Sequence, residues 1–507
     1  MKRRQFLLGT LGAAAARAFQ SPVADQSGNT LTVSAAEDPS APVISRFLYS
    51  HFAEHLGRCV YGDGIWVGED SPIPNIRGMR KDIIEALRAL KVASVRWPGG
   101  CYADRYHWKD GIGPKSDRPV YQRGFLDTNH FGTHEFMDWC ELIGCEPFLC
   151  GNVGSGEVQE MADWVDYITS ENSPMARLRR KNGREQPWKL KYFAIGNENW
   201  GCGGNMTAEY YADVYSRFAT FLSSHESPLY RISCGTTNEE WMKTLLRKSA
   251  KYMQGVSIHH YLMERDQPAT EFNESQWIHT LKGAADMDPL LQKYIAILDN
   301  WDPQKRIGIV FDEWGTWFRE TPGQGSLWQQ NTMRDALAAG ISLNVFHWHS
   351  SRVAMANIAQ IVNVLQAMVL TEGPKMLLTP TYHVFEMYKV HQDAKLLPCL
   401  LNSAEYKVGD RSTSALHASA SRDRTGKIHL SICNLDPNRA HDLTAHFQGA
   451  EISRFSGRVL TAESMNDHNT FDAPEAVKPR PFSAASVAGG RLQGEFPPKS
   501  VTVLELV

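Results

Sequence analysis

Between about residues 50 and 390, short apolar runs alternate with longer amphipathic stretches, and the runs end in polar residues. The runs are SRFLYSHFAEHL, VASVRWPGG, EPFLCGNVGSG, KYFAIGNENWG, RISCGTT, GVSIHHY, RIGIVFDEWG and SLNVFHWHSS. Helix-patterned segments lie between them at 80–91, 132–144, 157–169, 207–224, 238–252, 275–300 and 328–340, and Thr207 is placed as an N-cap. Runs that are apolar throughout fit parallel strands buried on both faces. Eight strand–helix units predict an α/β fold closed as a (β/α)8 TIM barrel, with the polar residues gathered on the face where such barrels carry their sites. An open doubly wound sheet is the alternative, but neither GxGxxG nor GxxxxGKS/T follows the first run.

Beyond residue 393 the pattern shortens to alternating segments such as IHLSICNLD and SVTVLELV, punctuated by turns. These predict an additional all-β sandwich, jelly-roll-like, which the strands in 31–50 complete. The expected division is a signal at 1–18, a flexible leader at 19–30, N-terminal sandwich strands at 31–50, the barrel at 51–392 and the sandwich at 393–507. The start, MKRRQFLLGTLGAAAARAF, has Arg3-Arg4, a modest apolar stretch and Ala16-Arg17-Ala18. It resembles a twin-arginine signal and predicts export to the periplasm or the exterior.

The nine cysteines are odd in number and contain no CxxC, so buried free thiols are expected rather than a metal site or a disulfide framework. A net charge of −3 without a dense Lys/Arg stripe argues against a nucleic-acid partner. With the signal removed, no membrane partner is expected. Core packing accounts for most of the 14 tryptophans, but several stand beside polar strand ends, where a ring can stack on a sugar.

Glu198 ends the fourth run and Glu313 the seventh. Either alone could be a helix cap or a core ion pair. On a closed barrel the two converge on one mouth, and retaining glycoside hydrolysis needs such a pair about 5 Å apart. Like charges at that range push pKa values apart, so one of the two is expected to stay protonated near neutral pH and to act as an acid. A rival is a metal-dependent barrel hydrolase using His347 and His349 in HxH spacing with His259 and His260, although HExxH is absent. A non-catalytic carbohydrate-binding protein is the second rival; it would keep the aromatics and lose one glutamate. The reading adopted is an enzyme with no metal and no cofactor.

The NEN and DEW motifs resemble the retaining clan of glycosidase barrels. The stretch HFAEHLGRCVYGDGIWVGEDSPIPNIRGMRKDIIEALRALKVASVRWPGGCYADRYHWKDGIGP, with DTNHFGTHEFM, SIHHY, DEWGTWF and NIAQIVNVLQAM, resembles glycoside hydrolase family 51, the α-L-arabinofuranosidases, from about residue 45 to the C-terminus. The resemblance implies that Glu198 is the acid/base and Glu313 the nucleophile, and with those roles Glu198 is the carboxyl expected to be raised by Glu313. It further implies that Asn197, Glu54, Gln360 and Cys101 meet the sugar, that Tyr261 positions the nucleophile, and that Trp317 walls the pocket. Arg96 and His259 match supports of the two glutamates. It also implies an arabinofuranosyl-containing carbohydrate substrate and a homo-oligomer, hexamers being frequent in the family. β-D-Galactofuranosidase, β-xylosidase or endoglucanase activity could share the same pair. DEWGTW departs from the commoner DEWNVW, and the loop 118–126 lacks the Trp that often borders the leaving-group subsite, leaving Phe125 there.

Overall fold

Eight parallel strands close into a barrel in chain order in the computed structural model, which describes residues 28–224 and 228–507. They are Ser50–Phe52, Ser94–Trp97, Glu146–Gly151, Tyr192–Ile195, Tyr230–Ser233, Gly255–Pro268, Gly308–Arg319 and Val353–Ala359, numbered one to eight below. Closure is made by strands eight and one, where Asn357 pairs with Ser50 and Ala359 with Phe52. Helices between the strands bury one apolar face each. In Lys81–Leu90, for example, Ile83, Ile84, Leu87 and Leu90 turn inward. Thr207 does cap its helix, Ala208–Phe221, by accepting from the Tyr210 N–H.

Strands six and seven run on together past the barrel, pairing Tyr261 with Gly315 and Met263 with Trp317. This ribbon stands at the strands' C-terminal ends and carries two of the predicted site residues.

The eighth strand is not where the sequence placed it. SLNVFHWHSS lies in and just after the helix Met333–Trp348, and strand eight follows at Val353–Ala359. Every residue from Met333 to His347 is buried, because the helix is packed between barrel and sandwich. A helix buried on every side need not show one apolar face, and a short apolar run within it then cannot be told from a strand by periodicity.

The sandwich has two sheets. One orders Cys399–Asn402, Asn29–Ser34, His441–Gln448, Arg491–Phe496 and Ala485–Ala488. The other orders Lys395–Leu397, Leu416–Arg422, Ile428–Asn434, Ser500–Leu506, Phe455–Leu460 and Arg480–Pro481. Leu31, Val33, Leu416, Leu430, Ile432, Leu443, Phe496 and Leu504 fill the space between them.

The seam between barrel and sandwich is polar and buried. His347 Nε2 lies 2.7 Å from the Tyr49 hydroxyl and Nδ1 lies 3.0 Å from Ser419 Oγ, so one imidazole bridges the two domains. His391 sits 2.7 Å from Ser421 and 2.6 Å from Ser431. The Trp277 indole donates to the Leu435 carbonyl and the Asn344 amide meets His417.

Burial holds these imidazoles neutral, pushing His347 down to about 3 and His417 to about 4. In the unfolded chain they titrate near 6.5, so below that pH unfolding takes up protons. The contribution of these imidazoles to stability should therefore be level above about pH 7 and fall from pH 6.5 towards 4. In urea denaturation, His347→Gln should remove up to about 1.4 kcal/mol per pH unit from that slope. An unchanged slope would count against a neutral His347.

Candidate active site

Arg96, at the end of strand two, is wholly buried and organises the mouth. Its Nη1 donates to Glu313 Oε1 at 2.7 Å, its Nη2 donates to Asn197 Oδ1, and its Nε lies 3.4 Å from Asp312 Oδ2. Burial works against the charge, but Asp312 and Glu313 outweigh it and raise the guanidinium still further. Its face covers the Phe52 ring at 4.7 Å.

Glu198 follows strand four in a left-handed backbone, φ +42°, a conformation uncommon for a non-glycine residue. Glu313 lies inside strand seven. One oxygen of each, with a ring nitrogen of His259, forms a group lying within 4.8 Å of one another. His259 Nδ1 is 2.9 Å from Glu198 Oε1 and 3.5 Å from Glu313 Oε2, and its Nε2 is 3.2 Å from Asp312. The Tyr261 hydroxyl donates to Glu313 Oε2 at 2.8 Å and its ring meets Trp317 edge-on at 5.1 Å. Arg265 stacks on Trp317 at 4.0 Å.

The electrostatics differ from the sequence expectation. Glu198 is not raised by Glu313. Burial pushes it up, but the hydrogen bond and charge of His259 prevail and hold it below the usual carboxylate range. His259 is raised well above an ordinary imidazole: burial opposes this, and Glu313 and Asp312 override it. Glu54 is the raised carboxyl, at about 7, chiefly through burial and then through the Glu313 charge.

Glu54 accepts from the Gly100 and Tyr102 N–H groups, both at 3.1 Å, and from Gln360 Nε2 at 3.0 Å. A Cβ on Gly100 would stand 2.8 Å from Glu313 Oε1, so only glycine lets the backbone come this close. Gln360 and Asn197 are each anchored at one end of the amide. Gln360 Oε1 and Asn197 Nδ2 are buried without a hydrogen-bond partner among the described residues. Such orphans are costly in a closed core and suit a ligand's hydroxyl groups.

Cys101 departs from its expected role as a free thiol. It forms a disulfide with Cys202, the two Cα atoms being 5.5 Å apart. The turn after strand two and the loop after strand four meet at the mouth, a juxtaposition that spacing along the chain does not reveal. The HxH pair is divided: His347 is in the interdomain seam, and His349 pairs with Asp288 at 2.6 Å. Of the four histidines considered as metal ligands, only His259 contacts the glutamates. Phe125 packs near Tyr61 and Tyr102. A cleft of about 750 Å³, lined by Arg46, Lys91, Glu146 and Asp393 among others, lies at the opposite end of the barrel and holds none of these groups.

Two carboxylates escaped the sequence reading. Asp312 directly precedes Glu313, and alternation would send the pair to opposite faces. Register shifts at Ser257/His259 and Phe311/Trp314 break the alternation, so both reach Arg96 and His259. Asp104 is buried and accepts from the Val153 and Gly154 N–H groups at 2.7 Å and from the Asn197 N–H at 2.8 Å. Its only sequence signal is an acidic residue soon after a strand end.

Residues 86–278 match the α-L-arabinofuranosidase 1 domain family and residues 312–500 the α-L-arabinofuranosidase C-terminal domain family. An intracellular exo-α-L-arabinofuranosidase of Bacteroides ovatus is 46% identical over 95% of this chain and 96% of its own. The crystal structure of the GH51 arabinofuranosidase from Xanthomonas axonopodis pv. citri is 43% identical, covers 95% of this chain and 100% of its own, and superposes with a TM-score of 0.93. An α-L-arabinofuranosidase from Thermotoga maritima, in an arabinose complex, is 29% identical over the same shares with a TM-score of 0.84. The B. ovatus name overturns the export expectation, since a relative matched over nearly the whole chain is intracellular. The twin-arginine segment itself lies outside the described residues.

Asp104→Asn puts an amide donor among the donors that Asp104 now satisfies. It should cost about 1–3 kcal/mol in urea denaturation and lower kcat more than it raises KM, because the turn bearing Glu198 loosens. A variant with wild-type kcat would remove Asp104 from this role.

Proposed function

The chain belongs to the α-L-arabinofuranosidases of glycoside hydrolase family 51, and on that premise we propose that Glu198 and Glu313 hydrolyse a terminal α-L-arabinofuranosyl bond by double displacement. The protein is a glycoside hydrolase acting on arabinofuranosides. The observation that carries the mechanistic reading is the group of Glu198, His259 and Glu313 atoms within 4.8 Å, which suits attack on the anomeric carbon from one side and protonation from the other.

Glu313 is the nucleophile. Arg96 and Tyr261 hold its two oxygens and aim it. Glu198 gives a proton to the leaving oxygen, then takes one from the water that releases the sugar with net retention. The Glu198–His259 pair stores that proton: near neutrality it holds one, resting on the imidazole 2.9 Å from Glu198 Oε1. Asn197 and Gln360 offer their free amide ends, and Glu54 its half-protonated carboxyl, to the sugar's hydroxyls. Trp317 walls the pocket, with Arg265 against its ring. A homo-oligomer, implied by resemblance, is part of this reading and is checked by light scattering.

Glu198→Ala should lose about 10²- to 10⁴-fold on arabinofuranosides with poor leaving groups and far less on activated aryl ones. Glu313→Ala should not turn over, and azide should give it only an inverted glycosyl azide; a retained product would overturn the nucleophile assignment. Arabinofuranose, galactofuranose and xylopyranose aryl glycosides, assayed in parallel, should rank in that order.

His259→Gln leaves Glu198 alone to keep the proton. In the wild type the raised imidazole keeps the pair protonated well above pH 6.5, so the alkaline limb of kcat/KM lies high. The variant's limb should move to lower pH. An unmoved limb would mean that the pair does not share the catalytic proton.

A further inference from the structure

The Cys101–Cys202 disulfide takes no part in the double displacement, yet it lies against its acid/base. Cys101 Sγ is 4.0 Å and Cys202 Sγ 3.5 Å from the same oxygen, Glu198 Oε2, while Oε1 is held by His259. Cys101 and Cys202 are exposed, whereas the remaining cysteines are buried or half-buried. A small thiol in solution can therefore reach this disulfide.

Reduction changes what these sulfurs are. Two molecules of a small thiol transfer two electrons and two protons: the Cys101–Cys202 bond breaks, two cysteine thiols form, and the reductant leaves as its own disulfide. The two thiols and Glu198 then present three donor atoms of the kinds that bind zinc-like cations. In a tetrahedral zinc site, Zn–S near 2.3 Å and Zn–O near 2.0–2.2 Å place neighbouring ligands roughly 3.5–3.8 Å apart. The two sulfur–carboxylate separations already lie close to that range. Only the sulfurs must part, and Cys202 stands between Gly201 and Gly203 in a loop.

We propose that Cys101, Cys202 and Glu198 form a redox-gated site for a thiophilic divalent cation, shut while the disulfide stands and open once it is reduced. Binding releases the two thiol protons to solvent and leaves the fourth position to water. A cation held there occupies Glu198 Oε2 and takes the acid/base out of service. That consequence rests on the proposed role of Glu198; the site itself does not.

The test uses the whole enzyme, oxidised or thiol-reduced and freed of reductant without air, with Co²⁺ as spectroscopic probe and Zn²⁺ for inhibition. Reduced enzyme should bind one Co²⁺ with a thiolate-to-metal absorption band that the oxidised enzyme lacks. Cys202→Ser should lose the band, and Glu198→Gln should keep it with at least tenfold weaker binding. Equimolar Zn²⁺ should lower kcat of the reduced form more than tenfold, and a chelator should restore it. No band on reduction, a band that survives Cys202→Ser, or equal metal binding by both redox forms would overturn the proposal; the last would point instead to Glu198, His259 and Glu313. Affinity unchanged in Glu198→Gln would remove the carboxylate from the site. A band with undiminished kcat would uphold the site and overturn Glu198 as acid/base.

Discussion

One buried guanidinium holds the mouth of this barrel together. Arg96 leaves strand two inside the core, where an unpaired cation costs several kcal/mol. Its partners come from elsewhere: Asn197 after strand four, and Asp312 and Glu313 within strand seven. The barrel must close for the charge to be matched, and matching the charge fixes where Glu313, the proposed nucleophile, lies. Fold stability and the geometry proposed for catalysis share the same hydrogen bonds.

The charges around that centre are uneven. Glu54, Glu198, Asp312 and Glu313 face Arg96 and a protonated His259, four carboxyls against two cations. Glu54 rises to about 7, chiefly because it is buried and then because the Glu313 charge faces it. At neutral pH it can donate or accept, which suits a contact with a hydroxyl. Glu198, beside His259, is held low instead, so in the proposed mechanism the proton for the leaving group is kept by a pair rather than by a single acid.

Much of this was legible in the chain. Apolar runs ending in polar residues fixed the barrel and put Glu198 and Glu313 at one mouth, because strand burial on both faces leaves a plain mark. The eighth strand was misplaced because the helix Met333–Trp348 is buried on every side and so lacks the period that betrays a helix. Asp312 was hidden by register shifts, which no local pattern announces. The Cys101–Cys202 bond was hidden because it joins loops 101 residues apart, and the direction of the Glu198 shift because it depends on which neighbour is nearer.

The sandwich sheet that contains Asn29–Ser34 has a history imposed by chain order. This strand pairs in parallel with His441–Gln448, and Asn29 donates to the Asp442 carbonyl across 413 residues. During synthesis the whole barrel emerges while that strand still waits for its partner, as an unpaired edge. The sandwich is thus begun before the barrel strands and completed after them, packed against a barrel that already exists. Non-local pairing of this kind slows the final step, because one sheet depends on strands separated by some 413 residues of chain.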